Sequence, residues 1–490
     1  MSTESSTRES AFLTDSLGTL LWKNSGPAVM SMIVIALYQI VDGAMLGRRL
    51  GPDALAAVNI LYPVVALLSA LMAMLASGAS ARLGVLLGAG KTRDAGRLLS
   101  LMLILSIALG VVGSVVAMIF TTPMTGLLGA SESIRGLAVA YLTTLAPFFV
   151  FFIVAFVFDQ ATRGDGSPGF ASAVTGGSAV LNISLDYIFL FQLDLGMEGA
   201  ALASGLAQTT AAVLLVTRFV LKNAARKRSL RFRAPIFDRA TIVAIAGNGS
   251  SEFFSTFSLG FVILLYNRAL MSYVGPLGVA AFAIVQYMLM IGTVMFTGVA
   301  VGAQPIISWN HGAGNHERVK GTVVRVIATT SVLGVVIALA AVLRAGTLSA
   351  LFMPDHPEAI ALTALALRIV AWAIIAAPLG VVGSVFFTAI ERPKPSVVIA
   401  MLRGLIVPVV ALGLFPLLWQ DTGIWFVPVA SEAAAALVAL VLVMRTLRST
   451  DNSAAVEPVE TRVHTENALP LHTGNALPLE TEDAAVVVPA

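Results

Sequence analysis

Long apolar runs recur along the whole chain and are separated by short polar segments. Each run is about twenty residues or longer, which is enough for a helix to cross a hydrocarbon core of about 30 Å. The pattern therefore predicts an all-α polytopic membrane protein with twelve transmembrane helices. The predicted spans are 26–47, 54–80, 98–120, 137–160, 169–191, 197–220, 241–270, 277–306, 322–343, 360–389, 395–418 and 424–446.

Composition agrees with a membrane protein. Of the 490 residues, 57% are hydrophobic and only 12% are charged, whereas a soluble domain has about 25% charged residues. The chain has no cysteine, which excludes disulfides and thiolate metal sites. A net charge of +3 gives no indication of a nucleic-acid partner.

A basic linker divides the chain into two halves of six spans each. The N-terminal segment is polar and rich in Ser and Thr, without the features of a removable signal peptide. The C-terminal tail is polar and mostly acidic, and we expect it to be disordered. The predicted divisions are an N-terminal cytoplasmic segment at 1–25, an N-lobe at 26–220, the linker at 221–240, a C-lobe at 241–446 and a cytoplasmic tail at 447–490.

The basic residues of the short loops predict the orientation, because cytoplasmic loops carry an excess of Lys and Arg. Loops on the side of the linker hold more of them than the opposite loops. We therefore expect a multi-pass protein of the inner or plasma membrane with both termini in the cytoplasm. The bases assigned to the cytoplasmic side include Lys91, Arg93, Arg97, Arg163, Arg318, Lys320, Arg325, Arg392, Lys394, Arg445 and Arg448.

The two halves share an internal repeat. Gly51-Pro52 recurs as Gly275-Pro276, an offset of 224, and the triplet Gly88-Ala89-Gly90 recurs as Gly312-Ala313-Gly314 at the same offset. Each half has an even number of spans, so both halves enter the membrane in the same sense. This is the plan of parallel-repeat transporters, and it predicts two pseudo-symmetric lobes around a central cleft.

Acids within the spans carry the functional hypothesis. Asp42 lies 16 residues (42 − 26) into the first span and Asp186 lies 17 residues (186 − 169) into the fifth, so both lie about 25 Å along helices of the same direction. Asn182 shares a helix face with Asp186. Ser204, in the returning sixth span, is expected at a similar level. A second interpretation is that these are separate polar residues near helix ends, hydrated by interfacial water.

Two carboxylates with amide and hydroxyl oxygens favour either of two ions. A hard cation such as Na⁺ prefers oxygen ligands, and two neighbouring acids repel each other unless they bind a proton. The residues leave H⁺ and Na⁺ open. Pro27, inside the first span, allows a kink that would couple this group to the shape of the cleft. Glu252 is the one acid well within a span of the C-lobe, and we expect it to act as a substrate or proton site.

Other chemistries have little support. The stretch 85–92, VLLGAGKT, lacks the first glycine of a phosphate-binding loop because Val85 occupies that position. ATP-driven transport is therefore not expected. The histidines fall in loops or in the tail, and no zinc-binding spacing occurs. We expect neither an enzyme nor a resident cofactor, with H⁺ or Na⁺ as the coupling ion.

Several motifs in register resemble the MATE (multidrug and toxic compound extrusion) transporters. GPDALAA at 51–57 leads into the second span, and QATRGDGSP at 160–168 connects the fourth span to the fifth. LNISLD at 181–186 and GMEGAALAS at 196–204 contribute polar residues to spans. GAQPIISWNHGAG at 302–314 lies in the C-lobe. The resemblance covers about 20–446 and omits the tail.

The resemblance implies a two-lobed antiporter that opens alternately to either side. The family's proline and aspartate of the first helix match Pro27 and Asp42, its fifth-helix pair matches Asn182 and Asp186, and its sixth-helix hydroxyl matches Ser204. The glutamate of the norfloxacin-exporter branch matches Glu252. That branch also has an aspartate in the tenth helix, where 378–390 holds no acid. This departure favours ion coupling through the N-lobe, as in the DNA-damage-inducible branch.

The main hypothesis is a secondary active multidrug efflux antiporter that exports amphiphilic, often cationic compounds in exchange for H⁺ or Na⁺. The expected partners are such small molecules and membrane lipid, with the protein a monomer. The alternative is a flippase or exporter of a lipid-linked or specific metabolite cargo with the same fold.

Overall fold

The protein is described by a computed structural model that covers residues 11–127, 132–225, 230–352 and 357–454. Within these residues, eleven helical segments are long and apolar enough to cross a membrane. The last of them, Pro393–Ser449, contains a backbone break at Trp419 and Gln420, where Gln420 has φ 51° and ψ −135°. The break separates two antiparallel crossings. The predicted class of twelve helices in two lobes is thereby confirmed.

We number the crossing helices α1 to α12 in chain order, and the short helices Pro52–Ile60 and Ala345–Phe352 lie between them. The first six are α1 Leu17–Leu50, α2 Tyr62–Gly88, α3 Thr92–Leu127, α4 Glu132–Leu145 continued by Ala146–Phe148 and Phe149–Gly164, α5 Pro168–Asp186 continued by the π-helix Tyr187–Gln192, and α6 Gly196–Ala225. The others are α7 Arg239–Tyr273, α8 Pro276–Gly312, α9 His316–Leu343, α10 Pro357–Ala389, α11 Pro393–Met401 with the π-helix Leu402–Ile406 and the part of Val407–Ala454 before Trp419, and α12 the part after Gln420.

Two helix boundaries at the start of the chain differ from those of the predicted spans. The first helix begins at Leu17 rather than at residue 26, because Ser16 is extended and its hydroxyl accepts a hydrogen bond from the Thr19 N–H at 3.4 Å. The second predicted span divides at Leu61, since Pro63 has no N–H to continue the preceding helix and favours the first turn of a new one.

The helices that flank the linker, and the last helix, continue beyond the predicted spans. Helix α6 continues to Ala225, and α7 begins at Arg239 after Asp238, whose carboxylate accepts hydrogen bonds from the N–H groups of Ala240 and Thr241, both at 3.1 Å. Helix α12 continues to Ala454. Residues 226–229 of the predicted basic linker and most of the predicted tail, 455–490, lie outside the described residues.

The two lobes meet through α1 against α8 and through α2 against both α7 and α8. Repeated glycines allow these helices to approach closely. A methyl group on Gly88 would lie 2.0 Å from the Trp309 carbonyl oxygen, and one on Gly312 would lie 2.1 Å from the Val85 carbonyl oxygen. The glycine repeat seen in the sequence therefore marks the lobe interface as well as a turn.

We call the end of the molecule with the turns after Gly88 and Gly312 the Gly88 end, and the opposite end, with Gly51 and Gly275, the Gly51 end. Contacts of backbone on backbone between the lobes are found towards the Gly88 end. A methyl group on Gly302 of α8, for example, would lie 2.4 Å from the Ser25 Cα of α1. The described part of the molecule is thus closed at the Gly88 end.

Candidate functional site

Helices α1, α5 and α6 hold the polar group of the N-lobe. Asp186 is the last residue of the α-helical part of α5, and a π-helix follows it at Tyr187–Gln192. A π-turn rotates the helix that follows and is frequent at functional sites. The sequence contained no signal that distinguished this turn from an ordinary helix.

The structure brings together the four N-lobe residues that the sequence singled out. Asp186 is fully buried, and its carboxyl group lies within hydrogen-bonding reach of that of Asp42, which is partly exposed. Asn182 is also buried, and its Nδ2 donates a hydrogen bond to Ser204 Oγ at 3.3 Å. Helices from three parts of the chain therefore contribute to one cluster.

The cluster contains oxygen atoms without donors. Both carboxylate oxygens of Asp186 and the Oδ1 of Asn182 are buried and accept no hydrogen bond from the described residues. Neither Asp42 nor Asp186 forms an ion pair with a described basic side chain. Burying oxygen atoms that accept no hydrogen bond costs free energy unless a proton or a cation binds to them. A proton shared between the carboxyls, or a hard cation, satisfies that need.

Two tyrosines complete the surroundings of the acid pair. Tyr38, one turn before Asp42 on α1, and Tyr141 on α4 both lie close enough to interact electrostatically with the two carboxylates. The spacing of Tyr38 from Asp42 was a readable signal that the sequence analysis missed. Tyr141 had no such signal, because only the fold brings α4 to this position.

A basic residue fixes the end of α1 beside this cluster without neutralising it. Arg49 pairs with Asp194 at 2.9 Å, and its Nε donates to the Leu190 carbonyl oxygen at 3.1 Å. Both partners follow Asp186 in the chain. Arg49 therefore holds α1 against the end of α5. Its positive charge is paired with Asp194 and not with the acid pair.

Pro27 does not lie with the acidic cluster, since fifteen helical residues correspond to about 22 Å. It lies in a separate polar contact between α1 and α5. The Pro27 carbonyl oxygen accepts hydrogen bonds from Ser31 Oγ at 2.9 Å and from Ser172 Oγ at 2.7 Å. Arg163, predicted in a loop, is buried at the end of α4 and pairs with Asp159 at 2.7 Å.

The expectation that Glu252 is the only acid within the C-lobe spans is wrong. Glu432 lies on α12, and its Oε1 accepts a hydrogen bond from Arg403 Nε of α11 at 2.7 Å. Arg403 also acts electrostatically on Glu252 of α7. Arg403 and Glu432 both lie within predicted spans, so a scan for basic as well as acidic residues in the spans would have found them.

No group of three or more His, Cys, Asp or Glu side chains able to hold a metal ion occurs among the described residues. The N-lobe cluster has two acids, and its other oxygens come from an amide and a hydroxyl. Its donor set fits a proton or a monovalent hard cation better than a transition metal, which prefers imidazole or thiolate ligands.

Two six-helix lobes, each with ionisable residues inside its spans, define a polytopic membrane transporter. Comparison with known proteins gives the family. The MatE family model matches residues 27–188 and 253–412, and the chain belongs to this family.

The relatives and solved structures agree with this assignment. The chain is 25% identical over 437 residues to the multidrug export protein MepA of Staphylococcus aureus strain MSSA476, which covers 88% of this chain and 95% of that protein. A crystal structure of MATE in the bent conformation is similar with a TM-score of 0.85 at 23% identity, covering 93% of this chain and all of that one. An outward-facing multidrug resistance MATE transporter gives a TM-score of 0.84 at 23% identity, with 92% of this chain and 100% of that one covered.

Proposed function

We propose that this protein is a secondary active antiporter that exports amphiphilic, largely cationic organic compounds in exchange for H⁺ or Na⁺. The observation that carries the proposal is the fully buried Asp186, whose unpartnered carboxylate faces Asp42. The multidrug export activity named for the MepA relatives supports the choice of cargo. In this proposal the protein is a transporter without enzymatic activity or a resident cofactor, and a monomer suffices because one chain supplies the whole cluster.

The ion is proposed to bind at Asp42, Asn182, Asp186 and Ser204. Two adjacent carboxylates in a medium of low dielectric constant repel each other, and one bound proton or Na⁺ relieves that repulsion. Because Asp42 and Asp186 belong to different helices, ion binding favours their approach and ion loss favours their separation. The charge state of the pair thereby biases the arrangement of α1 relative to α5.

Pro27 is proposed to transmit this change along α1. Its ring removes one backbone hydrogen bond and makes a local bend inexpensive. Its carbonyl oxygen is held by hydroxyl groups of α1 and α5, so a change in the bend alters contacts between these two helices. Ion and cargo then drive transport only through different affinities for the two conformations.

We propose that the Gly88 end faces the cytoplasm, with both termini on that side of the cell membrane. Basic residues of the short loops concentrate there. The arrangement described is then closed to the cytoplasm, with α1, α2, α7 and α8 packed at that end.

Two polar contacts between the lobes are proposed to form the cytoplasmic closure. Arg82 Nη1 of α2 lies 3.0 Å from Glu391 Oε1 after α10, and Trp309 Nε1 of α8 donates to the Gly164 carbonyl oxygen at the end of α4, at 2.9 Å. Both must break for the cleft to open at this end.

The N-terminal residues strengthen the same closure. Phe12 is buried, with its ring stacked on Trp309 at a centroid distance of 5.4 Å. Its carbonyl oxygen accepts hydrogen bonds from Asn310 Nδ2 at 3.0 Å and from Arg318 Nη2 at 3.2 Å. A methyl group on Gly166 of the other lobe would lie 3.1 Å from the Phe12 ring.

Ethidium efflux from proteoliposomes under separately imposed proton and sodium gradients tests the proposal. We expect one of the two gradients to drive ethidium efflux faster than the passive leak. Asp42→Asn and Asp186→Asn should each reduce gradient-driven export at least tenfold, because each leaves one carboxylate without the partner that makes ion binding favourable. Glu198→Gln, outside the cluster at the start of α6, is the control and should export at the parental rate.

Three outcomes separate the parts of the proposal. Export of no amphiphile under either gradient overturns the multidrug proposal. Gradient-driven export that persists in both aspartate variants overturns the N-lobe ion site. A response to only the sodium gradient, or to only the proton gradient, assigns the ion.

A further inference from the structure

A buried arginine of the N-lobe makes hydrogen bonds that the proposed ion site does not use. Arg163, at the end of α4, is 5% exposed and binds the Asp159 carboxylate through two atoms, Nε to Oδ2 at 2.7 Å and Nη2 to Oδ1 at 3.2 Å. Thr175 Oγ1 of α5 donates to the same carboxylate at 3.2 Å. Two bonds to one carboxylate fix the plane of a guanidinium. The outer N–H groups of Arg163 therefore point in a defined direction.

Those N–H groups reach serines on two other helices. Arg163 Nη2 donates to Ser31 Oγ of α1 at 3.1 Å, and Nη1 donates to Ser172 Oγ of α5 at 3.3 Å. The two serine oxygens lie 2.8 Å apart. Both hydroxyl groups also contact the Pro27 carbonyl oxygen of α1, with distances of 2.9 Å and 2.7 Å. One guanidinium therefore joins α4 to α1 and α5 at the proline of α1.

The chemistry of arginine fixes the direction of these hydrogen bonds. A guanidinium has five donors and no acceptor, whereas a hydroxyl group has one hydrogen and two lone pairs. A serine that accepts a hydrogen bond from Arg163 keeps its own hydrogen for another acceptor, and the Pro27 carbonyl oxygen is within reach of both serines. Hydrogen bonds in such a chain polarise one another. The Pro27 carbonyl thus accepts hydrogen bonds that a buried positive charge strengthens.

The same two helices carry the proposed ion site. Pro27 lies 15 residues (42 − 27) before Asp42 on α1, and Ser172 lies 14 residues (186 − 172) before Asp186 on α5. The two polar contacts between these helices are therefore about 21–22 Å apart. Both contacts are formed in the arrangement described. A change in the bend of α1 at the proline alters one contact together with the other.

We propose that Arg163 and Ser172 are positioning residues that hold the Pro27 carbonyl oxygen in the ion-binding arrangement of α1. Their hydrogen bonds are formed in that arrangement and are lost when α1 bends away. The free energy of these bonds therefore adds to that of ion binding through linkage. Neither residue contacts the ion. This inference rests on the proposed function and adds to it the residues that set the ion affinity from a distance.

A purely structural role for this network makes a different prediction. Loss of folded protein lowers the maximal rate of export and leaves the ion concentration at half-maximal export unchanged. Loss of a bond that only the ion-binding arrangement makes raises that concentration, and an excess of the ion restores the rate. The half-maximal ion concentration therefore separates positioning from structural support.

The experiment measures initial ethidium efflux from proteoliposomes over a series of proton concentrations and, separately, of sodium concentrations. Ser172→Ala should raise the half-maximal concentration of the driving ion about five- to tenfold, the effect of one hydrogen bond made in a single arrangement, and leave the maximal rate near the parental value. Ser31→Ala removes the other donor to the same carbonyl and should raise the half-maximal concentration as well. Ser172→Thr keeps a hydroxyl group and should give the parental value.

Arg163→Lys tests the part played by the guanidinium. The variant keeps the positive charge and loses the planar set of donors, so it should raise the half-maximal ion concentration. Combined with Ser172→Ala, its effect should be smaller than the product of the two single effects, because both residues act through one carbonyl oxygen. The parental value in Arg163→Lys overturns the role assigned to Arg163.

The matched control removes a similar hydrogen bond elsewhere in the N-lobe. Ser114 of α3 is 8% exposed, and its Oγ donates to the Ala146 carbonyl oxygen of α4 at 2.6 Å. Ser114→Ala should leave the half-maximal ion concentration unchanged. A Ser172→Ala protein with the parental half-maximal concentration, or one that exports at no ion concentration, overturns the inference. A parental protein that responds to neither ion overturns the proposed function instead.

Discussion

The contact of Trp309 with the opposite lobe allows a quantitative test of closure at the Gly88 end. Trp309 is 5% exposed, and its indole N–H donates to the Gly164 carbonyl oxygen at 2.9 Å while its ring stacks on Phe12. Trp309→Phe keeps an aromatic face for Phe12 and removes the donor. The change therefore acts mainly on one hydrogen bond between the lobes.

The magnitude follows from which state loses the bond. In the closed arrangement the Gly164 carbonyl is left without this donor, at a cost of about 1–1.5 kcal/mol. In the open arrangement the same carbonyl is hydrated, so the substitution costs little there. Since about 1.4 kcal/mol corresponds to a factor of ten, the ratio of open to closed molecules should rise roughly five- to tenfold.

The assay uses the absence of cysteine from the chain. Ser25→Cys introduces a single thiol at a position that is 7% exposed, where the native hydroxyl donates to the Val299 carbonyl oxygen of the other lobe at 3.0 Å. A membrane-impermeant maleimide added on the side of the Gly88 end labels this thiol only after the lobes separate. We expect Trp309→Phe to raise the labelling rate five- to tenfold.

The matched control is Trp372→Phe, because Trp372 on α10 is 65% exposed and its loss should leave the labelling rate unchanged. A Trp309→Phe protein that labels at the parental rate or more slowly would refute the closure, since the hydrogen bond would then contribute nothing to holding the lobes together.

Three further predictions concern the same end of the molecule. Gly88→Ala should raise the labelling rate more than Trp309→Phe does, because its methyl group would lie 2.0 Å from the Trp309 carbonyl oxygen and the lobes must move apart. Arg82→Gln should change that rate by at most about fivefold, since its pair with Glu391 is about one-third exposed and such pairs contribute about 0–1 kcal/mol. Hydrogen bonds from two backbone N–H groups hold the pKa of Asp238 below its usual value. The cap that the Asp238 carboxylate forms therefore stabilises α7 above about pH 4 and is lost as the pH falls. The melting temperature of Asp238→Ala should lie below the parental value at pH 7 and approach it in acid.

The sequence predicted the parts of the fold that depend on local pattern. Apolar runs specified twelve crossings, and the glycine repeat specified two halves in the same sense. Pairs such as Gly88 and Gly312 could be recognised as a repeat, but their role in close lobe contact could not, because it depends on how α2 and α8 cross. Helix ends were missed where a cap such as Ser16 or a proline such as Pro63 decided them.

The candidate site was predictable to a similar degree. Matching depths along α1 and α5 placed Asp42 near Asp186, because helix rise converts residue number into distance. Tyr141 and the π-turn after Asp186 were not predictable, since the first depends on packing and the second on backbone geometry. The pair of Arg403 and Glu432 was missed for a different reason: a search for acids alone overlooks an acid that a base from another span neutralises.

The two lobes use their charges differently, and this difference separates ion coupling from cargo recognition. The N-lobe has an acid pair without a described base, and Asp186 of this pair is fully buried, so the energy of the pair changes strongly when an ion binds. In the C-lobe, the Glu432 carboxylate is paired with the Arg403 guanidinium. Replacing both Asp42 and Asp186 by Asn should therefore abolish gradient-driven export. The equilibrium affinity for ethidium, measured by fluorescence on purified protein, should stay within about threefold of the parental value, since in the proposal these two residues bind the ion and not the cargo. Loss of ethidium binding in this double variant would contradict the division, and loss of binding in Glu252→Gln alone would support it.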